Sequence, residues 1–186
     1  MNIRLLENGD LIQRAFIEKF TLTYNQFILK HQAKTKVETY IKEDSDMDAV
    51  FIWDKLNTDF AQISFHEALK SLQDIDGEVL LMPDPSKTSG DYLAIDGIKR
   101  KDCVAAANAK ALAELIEYEW YENWKAFSQE RRLDNTILPD DLYVFDENME
   151  RVVIFTHEYD FWELETTDEY MKCADSRFCL AYGLRY

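Results

Sequence analysis

Glycine and proline are scarce in this chain, which has five and three of them among 186 residues. No segment has the composition of a flexible linker or a low-complexity region, and no internal repeat is present. No apolar run approaches the ~20 residues that a membrane-spanning helix needs, and the residues after Met1 lack the apolar core of a signal peptide. The sequence therefore predicts one globular domain, residues 1–186, with no membrane association.

Cysteine and histidine are scarce too, with three of each. An odd number of cysteines without metal-ligand spacing fits buried thiols in a reducing compartment, so we predict a cytoplasmic protein. The sequence contains no glycine-rich phosphate loop, no Gly-x-Ser-x-Gly elbow, no His-Glu-x-x-His pair and no paired Cys-x-x-Cys. These absences favour a protein without a cofactor or a metal, and they argue against an enzyme without deciding the question.

Basic residues are few, 21 against 36 acidic ones, which gives a net charge of −15. Repulsion from phosphates excludes an ordinary nucleic-acid-binding protein. The imbalance is concentrated in residues 133–175, which contain thirteen acids and two bases and carry −11 of the −15. This stretch either keeps the protein soluble or forms a surface for a basic partner, and the composition leaves both possibilities open.

Residues 142–157 predict a β-hairpin, because two runs of β-branched and aromatic residues flank a short polar turn. If Phe145 pairs with Glu150, alternate residues share a face. One face then carries Tyr143, Phe145, Val152 and Ile154, and the other carries Leu142, Val144, Val153, Phe155 and His157. Both faces are mostly apolar, so the hairpin should lie centrally in a sheet that is covered on both sides.

Three helices are predicted from apolar spacing and capping residues. The first covers residues 10–33, with Asp10 as its N-cap. Ser64 and Glu67 match a capping box, which predicts a helix over residues 65–73. The longest helix should cover residues 103–131, because an alanine-rich stretch leads into a stripe of large apolar residues.

Short apolar runs predict the remaining strands, at residues 49–53, 78–82, 92–95 and 178–182. The last of these should lie beside the hairpin. We therefore predict an α+β fold, in which helices, including one long central helix, pack on a mostly antiparallel sheet with a C-terminal hairpin.

His157 and Glu158, at the end of the hairpin, are the candidate catalytic residues. A histidine and two carboxylates, those of Glu158 and Asp160, gather there beside a strand end. A general base oriented by an acid could form at this place, or a hard metal site if Asp140 or Asp141 lay near it. Short acidic runs with one histidine also arise by chance in so acidic a chain, and no nucleophile stands out.

The candidate binding surface is the stretch that follows, Tyr159, Asp160, Phe161, Trp162 and Glu163. Exposed rings among carboxylates are typical of a binding hot spot, since the rings supply desolvated area and the acids select a basic partner. The alternative is that the rings fold back onto the core.

The segment Leu142-Tyr143-Val144-Phe145-Asp146-Glu147, followed by Ile154-Phe155-Thr156-His157-Glu158, resembles the closing segment of small bacterial proteins, some of which are proposed toxin-immunity proteins. The resemblance covers about a tenth of the chain. It implies a bacterial cytosolic protein with a binding role.

The first functional hypothesis is therefore an acidic, immunity-like interaction module that binds a basic protein through residues 159–163. The second is an enzyme or metal-binding protein with its site around His157. The third is a structural homodimer formed through the doubly apolar sheet.

Overall fold

In the residues that the computed structural model describes, three α-helices pack against a central antiparallel sheet of seven strands, so the fold is α+β. The strand order is β1-β6-β3-β7-β8-β9-β2, and a separate two-stranded sheet pairs β4 with β5. The structure describes residues 2–22, 51–57, 60–85, 92–101, 103–128, 136–159 and 177–184.

The strands are β1 (Arg4–Leu5), β2 (Ala61–Ile63), β3 (Glu78–Pro83), β4 (Leu93–Ile95), β5 (Ile98–Arg100), β6 (Ala105–Asn108), β7 (Leu142–Phe145), β8 (Val152–Tyr159) and β9 (Arg177–Tyr182). The helices are α1 (Gly9–Phe20), a 3-10 helix (Ile52–Lys55), α2 (Phe65–Gln73) and α3 (Ala109–Ser128). No helix in these ranges is long and apolar enough to cross a membrane.

Two hydrophobic cores lie on opposite faces of the sheet. The α2–α3 core contains Leu142, Val144, Val153 and Phe155 of the central strands, packed with α2 and α3. The α1 core contains Tyr143, Phe145, Val152 and Ile154, packed with α1 and the 3-10 helix. In the described part of the chain, helices therefore cover both apolar faces of the central strands. A homodimer remains a prediction.

The predicted division of the hairpin residues between two faces is confirmed for the four residues of β7 and for Val152 to Phe155, although the register differs. Phe145 pairs with Val152 and not with Glu150. The turn is longer than the sequence suggested, because the Asp146 carboxylate accepts the backbone N–H groups of Glu150 and Arg151. A shift of two residues leaves every side chain on its face, since side chains alternate with a period of two.

The helix over residues 65–73 is confirmed, together with its capping box. The Ser64 hydroxyl accepts the Glu67 backbone N–H at 3.2 Å, and the Glu67 carboxylate accepts the Ser64 backbone N–H at 2.8 Å. Phe65, Leu69 and Leu72 are buried in the α2–α3 core. Local signals sufficed here because the cap and the apolar stripe are encoded within ten consecutive residues.

The predicted first helix is wrong in its boundaries. Asn8, not Asp10, is the N-cap of α1, and the helix ends at Phe20. Thr21 adopts an extended conformation and bridges to Leu56, so pairing with a distant segment ends the helix. The predicted continuation over residues 23–33 lies outside the described residues.

Two further predictions of secondary structure are wrong. Residues 51–53, predicted as part of a strand, lead into and begin a 3-10 helix. Residues 105–108, predicted as helical, form β6 between β1 and β3, and α3 begins only at Ala109. Ala105, Ala106 and Ala107 are almost completely buried, and their small side chains fit a central strand because tertiary packing overrides weak helix propensity.

Candidate functional site

Two buried aspartates lie side by side at one end of the sheet. Asp84 follows β3 directly and Asp141 precedes β7, and these strands pair antiparallel with Pro83 opposite Leu142. The Asp84 backbone N–H donates to the Asp141 carbonyl at 3.2 Å. Both residues are buried, with relative exposures of 0% and 1%. Buried carboxylates need hydrogen-bond donors, and each has them.

The Asp141 carboxylate orients His157. Its Oδ1 accepts the backbone N–H of His157 at 2.9 Å and the indole N–H of Trp53 at 3.2 Å. Its Oδ2 lies 2.8 Å from the imidazole Nδ1. Beside an ionised carboxylate, which only accepts hydrogen bonds, the Nδ1 of the imidazole is the donor, and a neutral ring then has its lone pair on Nε2.

The Asp84 carboxylate fastens the 3-10 helix to the sheet. It accepts the Ile52 backbone N–H at 2.9 Å and the Tyr143 hydroxyl at 2.6 Å. The same hydroxyl oxygen accepts the Trp53 backbone N–H at 3.0 Å. Burial, together with the charge of Asp84, raises the pKa of Tyr143 well above its ordinary value, so the hydroxyl stays a donor.

Aromatic rings enclose the histidine on one side. Phe51 and Trp53 are stacked with ring centroids 5.6 Å apart, and the His157 ring lies 4.8 Å from Phe51 and 6.0 Å from Trp53. Trp53 also contacts Phe178 of β9. The His157 side chain is 40% exposed, so the imidazole is held in a fixed orientation and still reaches solvent.

Asp54 and Glu158 add negative charge at the exposed rim. Asp54 is partly buried and Glu158 is exposed. The pKa of Asp54 is raised to about 6, mainly by burial and then by repulsion from Glu158, with smaller repulsions from Asp84 and Asp141. A hydrogen bond from the Phe51 backbone N–H acts in the opposite direction and lowers this pKa. We call this cluster the acidic–aromatic site, and its members are Phe51, Trp53, Asp54, Asp84, Asp141, Tyr143, His157 and Glu158.

The sequence-predicted site residues divide into two groups. His157 and Glu158 lie in β8, and Asp141, which the sequence analysis considered only as a ligand of a possible metal site, lies beside His157. The predicted face of His157 is wrong, because the pairing of β8 with β9 is irregular between Phe155 and Tyr159 and the imidazole packs against Phe51 and Trp53. Tyr159 is described only in its backbone, and Asp160, Phe161, Trp162 and Glu163 lie outside the described residues.

Sequence reasoning missed five members of the site, Phe51, Trp53, Asp54, Asp84 and Tyr143. Phe51 and Trp53 were assigned to a strand and Tyr143 to an apolar face of the hairpin, while Asp54 and Asp84 were given no role. The only local signal for Asp84 is an acid at the end of an apolar run. Its burial depends on β7, which lies almost sixty residues further along the chain.

The described residues limit the chemistry of the site. They contain no group of three or more histidine, cysteine, aspartate or glutamate side chains placed to hold a metal ion. Cys179 is buried in the α2–α3 core, on the other face of the sheet, and burial raises its thiol pKa to about 12. The Asp141–His157 pair can accept or donate a proton, and Asp54 and Glu158 can bind a cation.

A second buried polar cluster has a structural explanation. The Arg177 guanidinium lies 4.0 Å from the Trp120 ring, and its nitrogens donate to the carbonyls of Thr156 and Asp140. The Glu119 carboxylate accepts the backbone N–H groups of residues 137 and 138. These contacts fasten β9 and the segment before β7 to α3.

Known proteins provide no parallel for these two clusters. Comparisons with protein-family models, with curated proteins and with solved structures found no match.

Proposed function

We propose that the protein binds a basic partner protein at the acidic–aromatic site, in the manner of a toxin-immunity protein. The observation that carries the proposal is the Asp54–Glu158 pair beside the Phe51 and Trp53 rings. Glu158 helps to raise the pKa of Asp54, so the two carboxylates repel each other in the unbound protein. A lysine or arginine side chain between them relieves that repulsion, and the rings provide apolar contact for its stem.

The rigidity of the site favours binding. Asp84 and Asp141 are buried and accept five hydrogen bonds from Ile52, Trp53, Tyr143 and His157. These bonds hold the rings before a partner arrives, and a preorganised site loses less conformational entropy on binding.

The sequence supports the same proposal. Residues 133–175 carry −11 of the net charge, which attracts a basic partner and accelerates its association at low salt. We propose that Tyr159, Asp160, Phe161, Trp162 and Glu163, which follow Glu158 directly, extend the binding surface.

A defined cationic probe tests the site. Hexa-arginine titrated into the protein by calorimetry should bind at low salt and lose affinity steeply as salt is added. The double variant Asp54→Asn with Glu158→Gln should bind at least about tenfold more weakly, since each lost charge pair contributes up to about 1 kcal/mol. The control, Asp10→Asn with Glu18→Gln, removes the same charge from α1, where both residues are exposed, and should change affinity less than twofold. Equal losses in the two variants contradict the proposal.

A partner is then sought with tagged protein in lysate of the source organism, at low salt. We expect one stoichiometric basic protein, retained by the α1 control and lost with the Asp54/Glu158 variant and with Asp160→Lys plus Glu163→Lys. A partner that survives both sets of changes would place the binding surface elsewhere.

A second candidate function is acid–base catalysis by His157. The observation that favours it is the 2.8 Å contact between Asp141 Oδ2 and His157 Nδ1. An ionised carboxylate at this distance favours the tautomer in which Nε2 can accept a proton. The two functions differ in what happens to the captured partner. A change in its mass that His157→Ala abolishes, and that the α1 control variant leaves intact, would favour catalysis. An unchanged partner in a stable one-to-one complex would favour binding.

A further inference from the structure

The small β4–β5 sheet is anchored to the body mainly through β4. Leu93 and Ile95 of β4 are buried in the α2–α3 core, and the Ala94 backbone N–H donates to the Ile137 carbonyl at 2.9 Å. Asp96 and Gly97 form the turn, with φ angles of +52° and +74°, the backbone of a tight two-residue hairpin. β5 is therefore held by its pairing with β4, by the turn and by the buried Cys103, whose thiol donates to the Arg100 carbonyl at 3.7 Å.

The strand β5 is exposed along its whole length. Ile98, Lys99 and Arg100 are all exposed, and the Ile98 side chain is 52% accessible. Within the described ranges β5 pairs with β4 alone, and neither Lys99 nor Arg100 forms an ion pair. A chain of net charge −15 thus presents two adjacent, exposed basic side chains on a strand edge that no strand of the described ranges pairs with.

The register determines which backbone groups are available. Ile95 pairs with Ile98, Ala94 with Lys99 and Leu93 with Arg100. In a two-residue hairpin the pair next to the turn is hydrogen-bonded and the following pair is not, so the N–H and C=O groups of Lys99 point to the open edge. A strand that adds to this edge can form both hydrogen bonds to Lys99.

We infer that the open edge of β5 is a docking site for an extended acidic segment of a partner protein, which adds as a third strand. The two faces of β5 specify its side chains. Lys99 lies on one face and selects an acidic residue of the added strand there. On the other face Ile98 selects an apolar residue and Arg100 selects an acidic one. This site is separate from the acidic–aromatic site and holds a partner of opposite charge.

Electrostatic repulsion argues against a second copy of the chain and against nucleic acid as the ligand of this strand edge. A second copy that added through the same edge would place its own Lys99 and Arg100 beside those of the first, which repels. The net charge of −15 opposes nucleic acid at long range, whereas a short peptide within a Debye length of about 8 Å responds mainly to the local lysine and arginine. Basic side chains on an edge also discourage pairing with neutral or basic strands, which leaves acidic ones.

A labelled peptide of alternating glutamate and valine tests the inference by fluorescence anisotropy with the full chain. We expect binding that weakens about tenfold or more in Lys99→Glu with Arg100→Glu, because two favourable charge pairs become repulsive. The control, Arg14→Glu with Lys70→Glu, reverses two exposed charges elsewhere and should change the dissociation constant less than twofold. N-methylation of alternate peptide amides should weaken binding as strongly as the β5 variant, since it removes the backbone donors. Thermal melting confirms that each variant is folded.

Several results would overturn the inference. Equal weakening in the control variant means that the peptide senses total charge and not β5. Full affinity of the N-methylated peptide means that no strand is added. Tighter binding of a ten-nucleotide oligothymidine than of the peptide, lost in the β5 variant, identifies nucleic acid as the ligand. Concentration-dependent sedimentation that disappears in the β5 variant identifies a second copy.

Discussion

Replacing Tyr143 by phenylalanine removes one oxygen atom from the centre of the acidic–aromatic site. The tyrosine side chain is completely buried between α1 and the sheet, and its ring contacts Phe16 with centroids 5.7 Å apart. The ring remains in Tyr143→Phe, so the hydrophobic packing is unchanged. The variant therefore isolates the two hydrogen bonds of the hydroxyl.

The expected loss of stability follows from those bonds. The hydroxyl donates to the Asp84 carboxylate at 2.6 Å and accepts the Trp53 backbone N–H at 3.0 Å. A bond to a charged group contributes about 1.5–3 kcal/mol, and an orphaned buried donor costs about 1–3 kcal/mol. Allowing for partial rearrangement, we expect Tyr143→Phe to lower the free energy of unfolding by about 3 kcal/mol.

Urea titration followed by tryptophan fluorescence measures this loss, and Tyr118→Phe is the matched control. Tyr118 is 64% exposed, so its substitution should change the free energy of unfolding by less than about 0.5 kcal/mol. Hydrogen exchange should also show faster exchange at the amides of Ile52 and Trp53, which lose their anchor. A loss below about 1 kcal/mol in Tyr143→Phe, with unchanged exchange at those amides, would refute the view that this network fastens the 3-10 helix.

Asp54→Asn tests the electrostatics, and Gly183→Ala with its control Gly97→Ala tests the backbone. The raised pKa of Asp54, about 6 against 3.8 in the unfolded chain, means that its contribution to stability is present below about pH 4 and is lost as the pH rises through 6. Urea titrations should therefore show Asp54→Asn to be more stable than the wild type by about 1 kcal/mol at pH 7.5, after allowance for solvent screening. Near pH 4 the two proteins should be equally stable. An equal gain at both pH values would contradict the view that the charge of Asp54 destabilises the fold. In Gly183→Ala the new Cβ would lie 1.8 Å from the Glu150 carbonyl oxygen at a φ of +70°, whereas at Gly97, with a φ of +74°, no atom lies within 4 Å. Thermal melting should show a loss above about 3 kcal/mol for Gly183→Ala and about 1 kcal/mol for Gly97→Ala, and equal losses would exclude the steric clash.

Features encoded over a few neighbouring residues could be predicted from the sequence. The capping box at Ser64 and Glu67 located the start of α2, since both of its hydrogen bonds join residues three apart. The alternation of side chains in residues 142–145 and 152–155 divided them correctly between two faces. Even a register error of two residues left that division intact, because a strand has a period of two.

Features that depend on distant pairing could not be predicted in this way. The alanine-rich stretch before α3 has high helix propensity, yet residues 105–108 form β6 because β3 and β1 pair with them on either side. The α1 helix ends at Phe20 because Thr21 bridges to Leu56. In both cases the pairing partner lies far away in the sequence, so no short segment of the chain contains the contact that decides its secondary structure.

The sequence alone determined the α+β class and the acidic charge distribution, and it singled out His157 as a candidate site residue, because composition and periodicity are properties of the chain itself. Only the tertiary structure decided that His157 is held by Asp141 and enclosed by Phe51 and Trp53. The antiparallel pairing of β3 with β7 places Asp84 beside Asp141, and these buried carboxylates then position the rings. Burial makes those hydrogen bonds strong, and burial is set by contacts between segments that are remote in sequence.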